Sequence, residues 1–226
     1  MDVDLHIHTT YSDCSGLDYD RIHGYVQDNR PLAFTITDHG SVAACRRLTD
    51  DFPGLTVLWG IEVTAEEGDF LVFTEDIDYI SSLKVYHRSV EDLRRDDDTV
   101  VIWAHPRISQ SGGWTGPDVI NDEIRHVTDH IDGLELFNGT MLFLATLGSI
   151  RPIYFEKLHR ILQTTGLTAT GGSDAHDFES LFNCYTRFPD DVRTAADMIT
   201  VLKNGKVEPL FDGEHFNNLE IPILSK

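Results

Sequence analysis

Basic residues are scarce in this chain: 18 lysines and arginines stand against 38 aspartates and glutamates, a formal net charge of -20 over 226 residues. That balance disfavours a long nucleic-acid partner, whose phosphates call for a basic surface, and an anionic membrane surface for the same reason. Cysteines are also few. Cys14, Cys45 and Cys184 make an odd number with no CxxC spacing, so no disulfide framework is expected and free thiols in a reducing compartment are. No basic stretch followed by an apolar one opens the chain, and no apolar run reaches 18 residues. A soluble, cytoplasmic protein is expected. Internal repeats, low-complexity tracts and Gly/Ser/Pro-rich linkers are missing too, which leaves a single domain over 1–226 as the expectation, with the stretch from about 190 onwards completing or capping it. The hydrophobic share, 41%, is that of an ordinary globular protein. The surplus of acid is a solvated surface, a high-salt adaptation, or in part a set of metal-ligand carboxylates.

What recurs is a short apolar run followed by an amphipathic segment. The runs are VDLHIH (3–8), LAFTITDHG (32–40), LTVLWGIEVT (55–64), DFLVFTED (69–76), TVVIWAHP (99–106), GLELFNG (133–139) and LTATGGSDAH (167–176). Helical spacing appears at 17–29, 41–52, in a polar stretch reaching Arg95, and at 118–131, 152–166 and 194–205. Alternating strands and helices argue for an α/β fold built from βα units around a mostly parallel sheet. Continuously apolar runs such as TVVIWA suit strands covered on both faces. Seven such strands fit either a barrel or a doubly wound sheet.

The unusual residues fall at the ends of those runs. VDLHIH ends in His6 and His8, FTITDHG in Asp38 and His39, VIWAHP in His105, and TATGGSDAH in Asp174 and His176, while Glu62 sits late in LWGIEVT. In a parallel α/β barrel the C-terminal strand ends converge on one face, so these residues would share one cavity. Alternation puts His6 and His8 on the same side of a strand. Each item has an ordinary reading as well: Asp38 bonding within its own loop, Ser173 or Asp174 capping a helix, Glu62 in an ion pair, His105 as a core histidine. Taken together, so many charge-capable groups in one place call for cations to offset their burial. Mixed imidazole and carboxylate ligands suit Mn, Zn or Fe better than Mg or Ca. The remaining histidines, His23, His87, His126, His130, His159 and His215, lie in polar, amphipathic or irregular stretches and are assigned no role.

With these motifs in hand, the sequence resembles the PHP (polymerase and histidinol phosphatase) family, in particular its short metal-dependent phosphoesterases. HIHTTYSDCSG is similar to the family's first motif, ITDHG to the second, WAHPR to the third and GGSDAH to the fourth; GIEVT matches the glutamate between the second and third. The resemblance implies a distorted (β/α)7 TIM-like barrel with two or three divalent metal ions at the strand ends. By position, His6, His8, Glu62 and Asp174 resemble ligands of one metal, Glu62 bridges to a second held also by His105, and Asp13, His39 and His176 resemble a further group that holds a third ion or moves protons. Many relatives carry another histidine on the strand after the bridging glutamate; GDFLVFTED has none, so the second metal is expected to use water or substrate oxygens.

The expected activity is hydrolysis of a phosphate ester by a hydroxide shared between metals, with no covalent intermediate. A compact phosphomonoester or nucleotide is the first expectation for the substrate, because the acidic surface suits a small ligand entering a pocket. Short oligonucleotide ends are the alternative. Arg107 is a phosphate clamp or a surface ion pair, and Asn138 lines the pocket or supplies a turn. Trp103 and Trp114 wall the site or pack in the core, and 107–116 is a candidate lid with glycine hinges. A metal-dependent amidohydrolase also places HxH after its first strand, but it uses a bridging lysine that TVVIWA and GLELF lack. A non-catalytic module would have lost ligands, and here nearly all are present.

Overall fold

The structure is a computed structural model that describes residues 1–94, 97–108, 122–216, 219 and 221. Among these the chain runs β1 (Asp2–Val3), α1 (Tyr19–Asn29), β2 (Ala33–Phe34), α2 (Ala43–Asp51), β3 (Thr56–Val57), β4 (Trp59–Ala65), β5 (Gly68–Thr74) and α3 (Ile77–Ser82). A 3-10 turn (Val90–Leu93) leads to β6 (Val100–Ala104), α4 (Asp122–Thr128), β7 (Gly133–Asn138), α5 (Gly139–Thr146), α6 (Ile153–Thr165) and β8 (Thr168–Gly172). β9 (Cys184–Arg187), α7 (Ala195–Lys203) and β10 (Glu208–Phe211) complete it.

The sheets are less parallel than the sequence suggested. The largest has the order β4-β5-β6-β7-β8, and only β6/β7 and β7/β8 are parallel; β4/β5 and β5/β6 are antiparallel. The reason for the first reversal is local. Ala65 pairs with Gly68, so only Glu66 and Glu67 join β4 to β5, and a connection that short can only turn the chain back. A second sheet, β1-β9-β10, is antiparallel throughout, and β2-β3 is a parallel pair. Among the described residues the fold is thus a mixed α/β one of three sheets.

Backbone bonds outside the named strands join these sheets beside the motif residues. Thr37 N donates to Ile7 O (2.8 Å), Glu62 N to Thr37 O (3.1 Å), Asp174 N to His6 O (2.7 Å) and His8 N to Ala175 O (3.0 Å). The segment 6–8 therefore lies between residue 37 and residues 174–175. It is not the continuous strand expected over 3–8, because the buried Asp4 side chain takes the N–H of His6 (3.2 Å), together with those of Ser173 (2.8 Å) and Phe182 (3.0 Å). Burial pushes the Asp4 carboxyl up to about 6, against the pull of these bonds.

Strand β5 shows why its sequence is apolar without a break. Phe70 and Val72 pack into one core cluster with Trp103, Leu134 and Phe155, whereas Leu71 and Phe73 pack into another with Ile102 and Met198. A third cluster, under α1 and α2, takes Ile7, Ile22, Ile36 and Leu48. Ile7, between the two histidines, thus points away from them. Two helix starts carry side-chain caps expected from their residue types: Asp18 caps α1, and Thr194 with Asp197 forms a capping box on α7. Helix α5 was not anticipated. Its sequence, GTMLFLAT, is apolar on every side and so carries no helical period, and the element begins because Asn138 caps it. Among the described residues no helix is long and apolar enough to cross a membrane. All three cysteines are free, with Cys45 and Cys184 buried and Cys14 exposed.

Candidate metal centre

Six of the side chains singled out from the sequence meet at one point. Glu62, buried in the middle of β4, touches four imidazoles: its Oε2 lies 3.3 Å from His6 Nε2, 3.0 Å from His8 Nε2 and 3.2 Å from His39 Nε2, and its Oε1 lies 3.1 Å from His105 Nε2. Asp174 Oδ1 closes the group at 3.5 Å from His6 Nε2 and 3.4 Å from His8 Nε2. The Nε2 atoms of His6 and His8 are themselves 3.0 Å apart. His105 and Asp174 sit one and two residues past β6 and β8 and adopt left-handed backbone, with φ of 28° and 54°. Such conformations cost of order 1–3 kcal/mol in non-glycine residues and concentrate at functional sites. Gly172 is required by close approach: a Cβ there would stand 2.5 Å from His6 Cβ and 2.6 Å from Glu135 Oε1.

A second layer of polar groups orients the first. Glu135, 1% exposed on β7, accepts from His6 Nδ1 (3.0 Å), His105 N (2.9 Å) and Asn138 Nδ2 (3.0 Å). A neutral His6 that donates at Nδ1 presents a lone pair at Nε2, toward the centre. Asp38 accepts from Thr9 N (2.6 Å), Thr9 Oγ1 (2.7 Å) and Ser12 Oγ (2.9 Å), so it bonds the loop after the HxH segment rather than its own. Ser12 Oγ in turn receives His39 N (2.8 Å) and stands 3.4 Å from His8 Nδ1. Neither Glu135 nor Ser12 was singled out from the sequence. A charge inside the fully apolar run GLELF was the available signal for Glu135.

The electrostatics ask for cations. Burial works against protonation of His6, but Glu135, Asp174 and Glu62 outweigh it and hold its pKa well above that of a free imidazole. His8 is raised too, against burial, by Asp174 and Glu62, and His105 is pushed up to about 9 by Glu62. Burial opposes ionisation of Glu62 and Asp174 in turn, yet the imidazoles hold both carboxyls below their ordinary range. The surroundings that favour a proton on these imidazoles would equally favour a cation between them. Nitrogen and carboxylate donors within 3.0–3.5 Å of one another, with His6 turned by Glu135, fit divalent Mn, Zn or Fe. His39 is different: burial lowers its pKa despite Glu62, and its buried Nδ1 has no hydrogen-bond partner among the described residues.

A cavity of about 600 Å³ opens over the cluster, lined by His8, Glu62, His105 and Asp174 with Asp13 and Arg107 among others. Asp13 lines this cavity but is exposed. The sulfur of its neighbour Cys14 comes within 4.8 Å of ligand nitrogens of His8 and His39, a grouping the sequence reading missed. His176 is partly exposed, its ring 4.7 Å from that of His8 and its Nδ1 donating to Asp174 O (2.8 Å). Arg107 is paired with buried Asp69 (3.0 Å) while 77% of its side chain remains exposed, which is the ion-pair reading. Asn138 does not face the cavity. It is 2% exposed, and its Oδ1 accepts from Met141 N at the start of α5, which is the turn-forming role rather than the substrate-binding one. Ser173 and Asp174 cap no helix; Ser173 Oγ donates to His6 O (3.2 Å). Trp103 is 5% exposed and stacks on Phe70 in the core. Trp114 and most of the candidate lid at 107–116 lie outside the described residues.

Residues 153–207, from α6 to just past α7, match the sequence model of the PHP-associated family. A two-domain protein from Bacteroides vulgatus, described as containing a predicted PHP-like metal-dependent phosphoesterase, superposes with a TM-score of 0.66 at 18% identity, over 93% of this chain and 64% of that one. The chain has the fold of the PHP-like proteins. PsfC from Pseudomonas syringae superposes with a TM-score of 0.64, at 18% identity, over 96% of this chain and 93% of that one. An amidohydrolase from Chromobacterium violaceum, solved with sulfate and without metal, superposes with a TM-score of 0.55 at 15% identity, over 95% and 100% of the two chains. No curated protein matches the sequence. With the PHP-like fold in view, the match over 153–207 covers α6, β8, β9 and α7, and so includes β8, which leads directly into Asp174.

Proposed function

We propose that this chain is a metal-dependent phosphoesterase that hydrolyses small phosphomonoesters. The observation that carries the reading is the convergence of His6, His8, His39 and His105 on Glu62, with Asp174 beside His6 and His8, at an open cavity. Two or three divalent ions held by these residues, with His176 and either Asp13 or Cys14 at the margin, supply Lewis acidity and activated water when bound. The chain's own groups do the rest. Arg107, tied to Asp69 by one arm, keeps further N–H groups for phosphate oxygens. His176 stands between the main cavity and a second one of about 460 Å³, which shares it and Asp174. In this reading it hands a proton to a leaving oxygen that departs into the second cavity. Asp177 and Glu179 on that second cavity favour a leaving group without a negative charge of its own. The barrel belongs to the same reading: segments 6–8, 35–38 and 57–62, with β5, β6, β7 and β8, follow one another through backbone bonds and return to 6–8.

Amide hydrolysis is the second reading, favoured by the likeness to the Chromobacterium violaceum amidohydrolase. The test is a panel of phosphomonoesters, phosphodiesters including short oligonucleotides, and amides, offered to the Mn, Zn and Fe forms of the protein. Phosphate release from monoesters, lost in His8→Ala, supports the proposal. Turnover of amides alone, or no turnover by metal-replete protein, overturns it.

A further inference from the structure

We propose that a second metal site, for one zinc-class divalent ion, lies outside the cluster, where α4 meets the 3-10 turn and the β4–β5 turn. His126 is in α4, and His130 follows two residues beyond its end, with His130 N bonded to Val127 O (3.0 Å) so that the last turn is kept. The two imidazoles are four residues apart and share a face, their ring centroids 5.5 Å apart. Glu91, from the 3-10 turn, places Oε1 at 3.8 Å from His126 Nδ1 and 3.4 Å from His130 Nε2.

These separations are too wide for hydrogen bonds, which run at about 2.7–3.2 Å for nitrogen and oxygen. The 3.4 Å separation is that of co-ligands, and the 3.8 Å one lies a few tenths of an ångström beyond it. A tetrahedral zinc ion with bonds of about 2.0–2.2 Å holds its donor atoms roughly 3.4 Å apart. All three donor atoms lie within 4.8 Å of one another.

The second observation is independent of that spacing. The other ring nitrogen of His126, Nε2, is 3.0 Å from Glu67 Oε1. Glu67 is itself held by Ser89 Oγ (3.0 Å) and Val90 N (3.2 Å). A carboxylate bonded to one nitrogen of a histidine fixes the ring and aims the other nitrogen at a metal, which is how proteins support histidine ligands. Here that support comes from the β4–β5 turn, so the ion would join three separate elements. Two imidazoles and one carboxylate select zinc-class ions over magnesium and calcium. All three ligands are at least 38% exposed, which leaves a fourth position to solvent. None of the four residues lines the main cavity.

The experiment counts zinc on the full-length protein after equilibrium dialysis against Zn²⁺. His130→Ala is expected to carry one zinc fewer than wild type while melting at the wild-type temperature in EDTA. Glu67→Gln, which keeps all three ligands, is expected to weaken that one zinc by about tenfold. His8→Ala is expected to lose zinc from the cluster and keep this one, so the readout is separate from phosphoesterase activity. Equal zinc counts in wild type, His130→Ala and a His126→Ala/His130→Ala double variant would overturn the proposal.

Discussion

Replacing Glu135 with glutamine changes almost nothing in shape, yet three donors point at that carboxylate: His6 Nδ1, His105 N and Asn138 Nδ2. A glutamine has one oxygen and one NH2 to meet them. If the NH2 faces His105 N and Asn138 Nδ2, two N–H groups confront it, and Asn138 is held in place because its oxygen caps α5. The less costly arrangement turns the NH2 toward His6 Nδ1. His6 then accepts at Nδ1 and carries its proton on Nε2, aimed at His8, Glu62 and Asp174. A metal must displace that proton or do without His6. Loss of such supporting groups lowers metal affinity about 10- to 100-fold, or about 1.4–2.7 kcal/mol. Equilibrium dialysis of wild type and Glu135→Gln against Zn²⁺ or Mn²⁺ measures the change, with melting in EDTA as the check that the variant is folded. A folded Glu135→Gln that binds metal within twofold of wild type refutes the reasoning, because His6 would then owe its orientation to something other than Glu135.

Three further outcomes are expected. In the metal-free protein burial opposes protonation of His105 but Glu62 raises it to about 9. Since that exceeds the ordinary value of about 6.5, its stabilising contribution is complete below pH 6.5 and is lost as pH rises to about 9. Metal competes with the same protons, so the gap in melting temperature between metal-loaded and EDTA-treated protein should widen from pH 6.5 to 9; a shrinking gap contradicts the assignment. Arg107→Gln should raise KM for a phosphomonoester about tenfold, the loss expected for a charged hydrogen bond, with the denaturant midpoint checking that the variant is folded, since buried Asp69 loses its arginine and keeps Thr64 Oγ1 (2.7 Å). An unchanged KM removes Arg107 from the substrate site. Gly172→Ala forces a Cβ into His6 and Glu135 and should lower metal uptake at least as far as Glu135→Gln does; metal counts on the purified variant decide it.

The parts of the fold that were legible in the sequence are those with a period. The helices at 17–29, 41–52, 152–166 and 194–205 are present within a residue or two at each boundary, because their apolar faces repeat at helical spacing, and α1 and α7 also start at side-chain caps. Strand β5 was legible as a continuous apolar run because both of its faces are covered. Strand direction was not legible. Nothing in the run DFLVFTED distinguishes a strand that returns after a two-residue turn from one that follows a crossover, and the deciding feature, the turn Glu66–Glu67, lacks the Asn-Gly or Asp-Gly signal of tight hairpins. Strands β9 and β10 were missed because each is four residues long, too short for alternation to show.

The same distinction runs through the site. His6, His8, Glu62, His105 and Asp174 could be brought together on paper because each lies on a strand, just past one, or in the extended segment 6–8 that bridges residue 37 and residues 174–175, where alternation and the direction of the chain constrain a side chain. Past the strand end that constraint is gone. Between His8 and α1 the chain is held by Asp38, through Thr9 and Ser12, residues whose positions no period predicts. In that loop two neighbours compete for one place. Asp13 is the residue expected from the motif, and it lines the cavity; Cys14 is the one whose ligand atom approaches His8 and His39. A carboxylate there suits manganese or iron and a thiolate suits zinc. The pair Asp13→Asn and Cys14→Ser should therefore separate by metal: Cys14→Ser is expected to lower zinc affinity and spare manganese, and Asp13→Asn the reverse. Equal losses of both metals in both variants would mean that the loop acts only as a lid over ligands supplied elsewhere.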